Sequence, residues 1–292
     1  MNILVIANPV AGIGKTVKRV QQLSTILESR GHKVEVFLTG GAGEALERAS
    51  KIDAVDRLVV AGGDGTVNEV LNGLPEPSCV PILHMATGTA NQLAQHLGLP
   101  KRPGPLAGIL EKGYVKKIDM GLIGNHRFLL QASAGFDALV TQVVDESPRR
   151  CSGYMAYAVP IVKAVLRRRP AKLDISVNGG ERIAGETVMV MKVSRYGGIL
   201  VFAHEARLDS GQFDICIFQK NTIPSLLMYA FAGITRLASI IPGMTHLTGS
   251  RVRIQSKVPV PVQIDGTYSG TTPVDIELIP GMVRVMVPAN TG

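Results

Sequence analysis

Three short stretches of this sequence carry residue types at a spacing suited to holding phosphate. The clearest is Leu58-Val59-Val60-Ala61-Gly62-Gly63-Asp64-Gly65-Thr66-Val67-Asn68-Glu69, an apolar run that feeds three glycines and then a helical stretch. Glycine lets the main chain approach an anion because no Cβ stands in the way. A helix start adds unpaired N–H groups and the positive end of the helix dipole. In that setting Asp64 is placed to hold or orient a magnesium–phosphate group, and the Thr66 hydroxyl to cap the helix or touch phosphate. A plain strand–helix turn with a threonine cap is the alternative, but three glycines bracketing an aspartate favour phosphate. The second stretch, Asn8-Pro9-Val10-Ala11-Gly12-Ile13-Gly14-Lys15-Thr16, ends like a Walker A loop. The glycine required five residues before Gly14 is Pro9, which has no N–H for that turn, so a P-loop ATPase is the weaker reading. The third stretch is Ala86-Thr87-Gly88-Thr89-Ala90-Asn91. One such loop is weak evidence; three at successive strand ends, where open parallel sheets bind ligands, are strong.

The elements that must position these loops follow from periodicity. Apolar runs at Asn2–Ala7, Val34–Leu38, Arg57–Ala61 and Pro81–His84 predict strands. Helical spacing predicts helices at Thr16–Arg30, Glu44–Lys51, Val67–Leu74 and Asn91–Leu97. Such alternation implies an α/β domain with a parallel sheet and helices on both faces. Beyond about Gly121 strand-like runs become consecutive: Arg127–Ala132, Lys172–Val177, Ile183–Val193, Phe213–Phe218, Arg251–Gln255, Val260–Ile264, Val274–Leu278 and Val283–Val287. Turn signals at Asn178-Gly179-Gly180 and Asp265-Gly266 separate them. This half reads as a β-rich, sandwich-like domain with helical insertions near Gly153–Arg169 and Ile223–Ile240, and the boundary is expected between residues 122 and 123.

Composition narrows the class. Hydrophobic residues are 46% of 292, enough for a core without disulfides or metals. No Trp and 4% aromatics argue against nucleic-acid recognition by stacking, and no nucleic-acid partner is expected. A formal charge of +8 favours anionic partners such as nucleotides or acidic membrane surfaces. Cys79, Cys151 and Cys216 form no C-x-x-C pattern, which fits a reducing, cytoplasmic setting. The opening residues read directly as a strand, so no signal peptide is expected. The greasy stretch Ile223–Ile241 is broken by Pro224 and Arg236 and reads as a packed or interfacial helix. Within it Leu226-Leu227-Met228 and Phe231 are expected to pack in the core. Arg167-Arg168-Arg169 suits a helix C-terminus. The six histidines show no i, i+4 metal pairing, and Ser133 lacks the first glycine of a hydrolase elbow.

Taken in order, Asn8-Pro9 with Gly12, Gly62-Gly63-Asp64-Gly65-Thr66 and Gly88-Thr89-Ala90-Asn91 resemble the diacylglycerol kinase catalytic-domain family, which includes bacterial lipid kinases and sphingosine and ceramide kinases. The resemblance continues through Ile118-Asp119-Met120-Gly121, Ser133-Ala134-Gly135-Phe136-Asp137, Ala206-Arg207-Leu208-Asp209-Ser210-Gly211 and Gln263-Ile264-Asp265-Gly266, and so spans essentially the whole chain. It implies a nucleotide-binding domain, residues 1–122 completed by 280–292, and a lipid-acceptor domain, 123–279, with the site in the cleft between them. It implies ATP and Mg2+ as cofactors, and a lipid substrate met at the inner face of the membrane; a homodimer is compatible with it. By likeness Asn8, Thr39, Gly63, Asp64, Gly65, Thr66, Glu69 and Thr89 line the ATP site, with Lys15, Gly62, Gly88 and Asn91 beside them. Lys15, Asp119 and Asp209 resemble a charged network joining the domains, and the two aspartates are the candidate metal ligands. Asp265 matches the acidic position proposed as general base, a role phosphoryl transfer needs near its nucleophile.

Three positions depart from the family pattern, each by loss of a carboxylate. Gln92 stands where Asp is usual after Gly88-Thr89-Ala90-Asn91. Ser210 replaces the second Asp of Asp-Asp-Gly, which normally helps hold a structural magnesium. Thr267 replaces the Glu of Asp-Gly-Glu, itself a candidate proton acceptor. Two other readings therefore stand beside a lipid kinase: a catalytically weak nucleotide- or lipid-binding regulator, and an NAD kinase-like phosphotransferase, since that family shares Gly-Gly-Asp-Gly.

Overall fold

The computed structural model describes residues 1–12, 14–75, 80–146, 158–238 and 241–289. The chain forms two compact units, Met1–Met120 with Pro280–Gly292, and Gly121–Ile279.

The first unit is built by alternation: β1 (Asn2–Ala7), α1 (Lys15–Ser29), β2 (Lys33–Leu38), α2 (Glu44–Ser50), β3 (Arg57–Gly62), α3 (Asp64–Gly73), β4 (Ile82–Ala86), α4 (Gln92–His96), α5 (Pro103–Lys112) and most of β5 (Tyr114–Ile123). The strands lie in the order β2-β1-β3-β4, all parallel, with Val5 opposite both Val36 and Val59 and Ala61 opposite Met85. Strands buried on both faces must be nearly continuously apolar; Ile3–Ala7 and Leu58–Ala61 are wholly so, and Ile82–Ala86 is apart from His84. Val20, Leu23 and Leu27 of α1 and Leu106, Ala107 and Leu110 of α5 pack onto one of those faces. The end of the chain returns to this unit, where Val285 pairs in parallel with Ile82.

The second unit contains β6 (His126–Phe128), β7 (Gln131–Ala134), α6 (Phe136–Asp145), α7 (Ala158–Arg167), β8 (Leu173–Val177), β9 (Ile183–Gly185), β10 (Thr187–Met191), β11 (Arg195–Tyr196), β12 (Leu200–Val201), β13 (Phe213–Phe218), α8 (Ile223–Thr235), β14 (Met244–Gly249), β15 (Arg251–Ser256), β16 (Pro261–Ile264), β17 (Thr267–Thr271) and the start of β18 (Val274–Val287). One antiparallel sheet runs β14-β13-β10-β7-β16-β17; facing it, β18 pairs with β15, β15 with β8 and β8 with β9. Inward side chains of both layers share one core: Ala132, Val190, Ile215 and Val262 from one, Ile175, Val252, Ile254 and Ile276 from the other. That is a β-sandwich.

Several boundaries differ from the sequence expectation for physical reasons. The change of unit falls after Met120, two residues before the expected one. The run Arg127–Ala132 is two strands, because the N–H groups of Leu129 and Leu130 turn to the Asp265 carboxylate. The last two expected strands are one, β18, which continues through Pro280-Gly281. The first part of the expected insertion Gly153–Arg169, as well as Ile13, Cys79 and Cys151, lies outside the described residues.

Candidate active site

Within the first unit the three predicted loops leave the C-terminal ends of adjacent strands β1, β3 and β4 and are stitched to one another by the main chain. Asn8 N–H donates to the Ala61 carbonyl at 2.9 Å, and the N–H groups of Thr87 and Gly88 donate to that of Gly62 at 2.9 and 3.3 Å. The buried Thr16 hydroxyl bridges the outer loops, bonding Ala11 O and Thr87 Oγ1, both at 2.9 Å. Two glycines make the approach possible. A Cβ on Gly12, whose φ is +62°, would lie 2.3 Å from the Thr87 carbonyl oxygen; one on Gly88 would lie 2.5 Å from the Gly63 Cα. Both obstacles are backbone, so neither glycine can be replaced without moving a loop.

The polar residues of these loops divide into those that hold the loops and those left at the surface. Asp64, first residue of α3, accepts the N–H of Gln92 at Oδ2 (2.9 Å) and of Leu93 at Oδ1 (3.2 Å). It thereby caps α4 from another loop, and both oxygens already have partners. Asn8 Oδ1 accepts Val10 N–H at 3.1 Å, closing the first loop on itself. Asn91 sits at φ +48° and donates Nδ2–H to the Gly88 carbonyl at 2.7 Å. Glu69 reaches the N–H of Gly43 at 3.2 Å, and buried Thr39 donates its N–H to Ala7 O, so these two order the turn after β2. Gly65, Lys15 and Thr89 are exposed, Gly65 in the first turn of α3 and Lys15 at the start of α1. Thr66 is buried and its N–H bonds Gly63 O at 3.1 Å.

Beneath the loops lies a group that sequence reasoning passed over. His84 of β4 is buried and donates Nε2–H to the Gly62 carbonyl at 3.1 Å. Burial pushes its imidazole below the ordinary range; the Asp64 charge and the Gly62 bond oppose this in part. His84 is therefore a neutral strut under the central loop. Its signal is present in the sequence, a polar residue inside the apolar run Ile82–Ala86.

Asp119, on β5, is buried and accepts the N–H of Gly281 at 3.0 Å. It anchors the returning C-terminal segment within the same unit. In the second unit Asp265, at φ +47°, accepts three main-chain bonds, from Leu129 (3.0 Å), Leu130 (3.0 Å) and Gln131 (2.9 Å). Asp209 pairs with the Arg207 guanidinium at 3.3 Å. Among the described residues no group of three or more His, Cys, Asp or Glu side chains is arranged to hold a metal ion. Magnesium needs few protein ligands when phosphates supply oxygens, so these residues fit it as a nucleotide-borne ion rather than as a protein-caged one.

A buried polar cluster in the second unit joins Asp137 with Ser133 and Gln263. The Ser133 hydroxyl and Gln263 Nε2–H (3.2 Å) both donate to Asp137 Oδ2, and burial raises its carboxyl above the usual range. The expectation that Leu227 and Phe231 pack in the core is corrected: they are 67% and 64% exposed on α8, on the same face as Ile223 and Ile234. Met228 of that group packs inward with Tyr229, and Leu226 is half-buried. Arg167, at the end of α7, pairs with Glu146 at 2.8 Å. No helix among the described residues is long and apolar enough to cross a membrane.

Comparison with known proteins agrees with this architecture. Residues 2–123 match the diacylglycerol kinase catalytic domain, and residues 131–287 match the YegS C-terminal NAD kinase beta sandwich-like domain. The chain is 26% identical over 290 residues to a diacylglycerol kinase of Bacillus subtilis (strain 168), covering 97% of this chain and 95% of that one. It is 26% identical to a diacylglycerol kinase of Staphylococcus carnosus (strain TM300), covering 98% and 95%. A crystal structure of a diacylglycerol kinase from Bacillus anthracis str. Sterne shares the fold, with a TM-score of 0.77 at 23% identity over 98% of this chain and 96% of that one. Another structure from the same organism gives 0.79 at 24% over 98% and 95%. The chain belongs to the diacylglycerol kinase catalytic-domain family of kinases.

Proposed function

We propose that the protein is an ATP-dependent lipid kinase that transfers the γ-phosphoryl group to a lipid hydroxyl such as that of diacylglycerol. The observation that carries the reading is the convergence of three loops at adjacent strand tips. There Gly12 lies against Thr87 and Gly63 against Gly88, leaving main chain without side chains where a triphosphate would lie. Phosphoryl transfer asks the protein mainly for positioning, charge neutralisation and one base. The first turn of α3, with exposed Gly65, offers main-chain N–H groups and the helix dipole to the phosphates. Exposed Lys15 and Thr89 add a charge and a hydroxyl. Asp64 acts by holding the second and third loops in register rather than by caging metal. Magnesium, when bound with the nucleotide, supplies charge neutralisation of the phosphate oxygens. Asp265 is assigned as the acceptor of the lipid hydroxyl proton. Three main-chain bonds fix the direction of its carboxylate.

Residues of α8 support a membrane-borne acceptor. Ile223, Leu227, Phe231 and Ile234 recur at helical spacing and are all exposed, as on helices that lie in a lipid interface. The formal charge of +8 suits an anionic inner leaflet. A second reading, NAD as phosphate acceptor, is favoured by the match of residues 131–287 to an NAD kinase beta sandwich-like domain.

The deciding measurement is phosphate transfer from labelled ATP, with magnesium, to diacylglycerol, monoacylglycerol, phosphatidylglycerol and sphingosine in anionic vesicles, and to NAD. A phosphorylated lipid is expected. Labelled NAD alone decides for the second reading. ATP binding without any product leaves a nucleotide-binding regulator and overturns the kinase assignment.

A further inference from the structure

Lys192 follows β10 within the apolar run Met189–Val193, and its side chain is completely buried. Its Nζ donates to Ser210 Oγ at 2.9 Å and to the Gln212 carbonyl at 2.8 Å. Ser210 Oγ itself lies 3.2 Å from the Arg207 carbonyl oxygen and 2.9 Å from that of Gln212. One tight turn, bent at Gly211 with φ +72°, thus brings a hydroxyl and a carbonyl oxygen to a single cationic side chain, with the Arg207 carbonyl on the far side of the hydroxyl. A buried ammonium tolerates the loss of water only where oxygens replace its hydration.

Neutral oxygens from one turn, completed by a carboxylate, are also what a hard divalent cation requires. The family resemblance places a structural magnesium at this Asp209-Ser210-Gly211 turn, held in part by a carboxylate at position 210. The donor set present does not fit that ion. Position 210 is a hydroxyl, the Asp209 carboxylate is paired with Arg207, and Nζ lies within hydrogen-bond distance of two of the three oxygens. A divalent ion at the same oxygens would face the Lys192 ammonium only a few ångströms away, and the two cations repel. The charges are equivalent: a carboxylate with a divalent cation sums to +1, as does a serine with a lysine ammonium.

We propose that the Lys192 ammonium is a built-in replacement for the divalent cation, and that the 207–212 turn needs no metal to fold. The inference concerns folding and does not rest on the reaction assigned above.

The test is thermal unfolding without nucleotide, in chelator and in millimolar magnesium, for the full chain and two variants. The wild-type melting temperature is expected to be the same in both. A fall in chelator that magnesium reverses overturns the proposal, even if neither variant folds. Lys192→Met removes the buried cation that ties Ser210 Oγ and the Gln212 carbonyl together, and is expected to melt lower by about 2 °C or more. An unchanged melting temperature overturns the proposal. Lys192→Met combined with Ser210→Asp restores a carboxylate to the vacated oxygens, and magnesium is expected to raise its melting temperature. No response to magnesium or calcium shows that the turn is no cation site and overturns it as well.

Discussion

The Asp64 carboxylate receives the backbone N–H of Gln92 at 2.9 Å, so the acid of the Gly-Gly-Asp-Gly loop is the cap of the helix that follows the next loop. Its other oxygen receives Leu93 N–H. Two loops on neighbouring strands are thereby locked in register by one side chain. Asp64→Ala removes both acceptors and leaves two amides of α4 unpaired, a loss of about 1–3 kcal/mol. Chemical denaturation of the variant should show that loss together with weakened ATP binding. Full stability with lost turnover would instead place Asp64 in the chemistry itself.

Gly65 allows cradle and fold to be separated. A Cβ at Gly65 meets nothing within 4 Å, whereas one at Gly88 strikes the Gly63 Cα. Gly65→Ala should therefore stabilise α3 by about 0.5–1 kcal/mol through lower chain entropy. In the proposed site the same methyl group stands in the path of the phosphates, and ATP affinity should fall by roughly tenfold or more, about 1.4 kcal/mol. Gly88→Ala should lower both. Denaturation and nucleotide titration of the two variants read this directly, and an ATP affinity untouched by Gly65→Ala would move the phosphates away from α3.

The parallel sheet and its three loops were legible because strands buried on both faces must be continuously apolar and because glycines are needed where loops touch. What escaped was set by contacts distant in sequence. Helix α6, where no element was expected, carries Val140, Val143 and Val144, β-branched residues that weaken the local helix signal; packing of Val140 and Val143 with Ala164 fixes its helical face. The break between β6 and β7 comes from Asp265, more than 130 residues away, which no local pattern records. Lys192 left a trace, a charge inside an apolar run, but its meaning depends on Ser210. Asp64 was legible as a residue of the glycine-rich loop, while its role as a cap for α4 required the neighbouring loop.

His84 gives the first unit a pH dependence of definite sign. Burial lowers its folded-state value below the ordinary 6.5, and the bond to Gly62 and the Asp64 charge only partly offset this. Between the lowered value and about 6.5 the unfolded chain binds the extra proton. The contribution of neutral His84 is thus fully present above about 6.5 and is lost as pH falls. Asp137, raised by burial, works the other way: its folded form gains relative stability as pH drops toward the ordinary 3.8. Comparing the wild type with His84→Gln cancels the Asp137 effect. The stability difference between the two should shrink as pH falls below 6.5, as read by urea midpoints across that range. A difference independent of pH would mean that His84 does not change its protonation on folding.

The role proposed for Asp265 opposes its observed one. Accepting N–H bonds from Leu129, Leu130 and Gln131 stabilises the charged carboxylate, while a general base must give up that charge to the incoming proton. The conflict is eased if one of these main-chain bonds loosens as the lipid hydroxyl arrives. Asp265→Asn keeps the size of the side chain but turns an amide donor toward a backbone donor. It should cost about 1–3 kcal/mol of stability, and a lost general base should cost a further hundredfold or more in turnover. The two effects are separable by measuring turnover per folded molecule, with the folded fraction taken from the unfolding curve of the same sample. If turnover per folded molecule stays within a few-fold of the wild type, Asp265 only shapes the 129–131 turn. The base must then be sought elsewhere, because Thr267 has no group that titrates near neutrality.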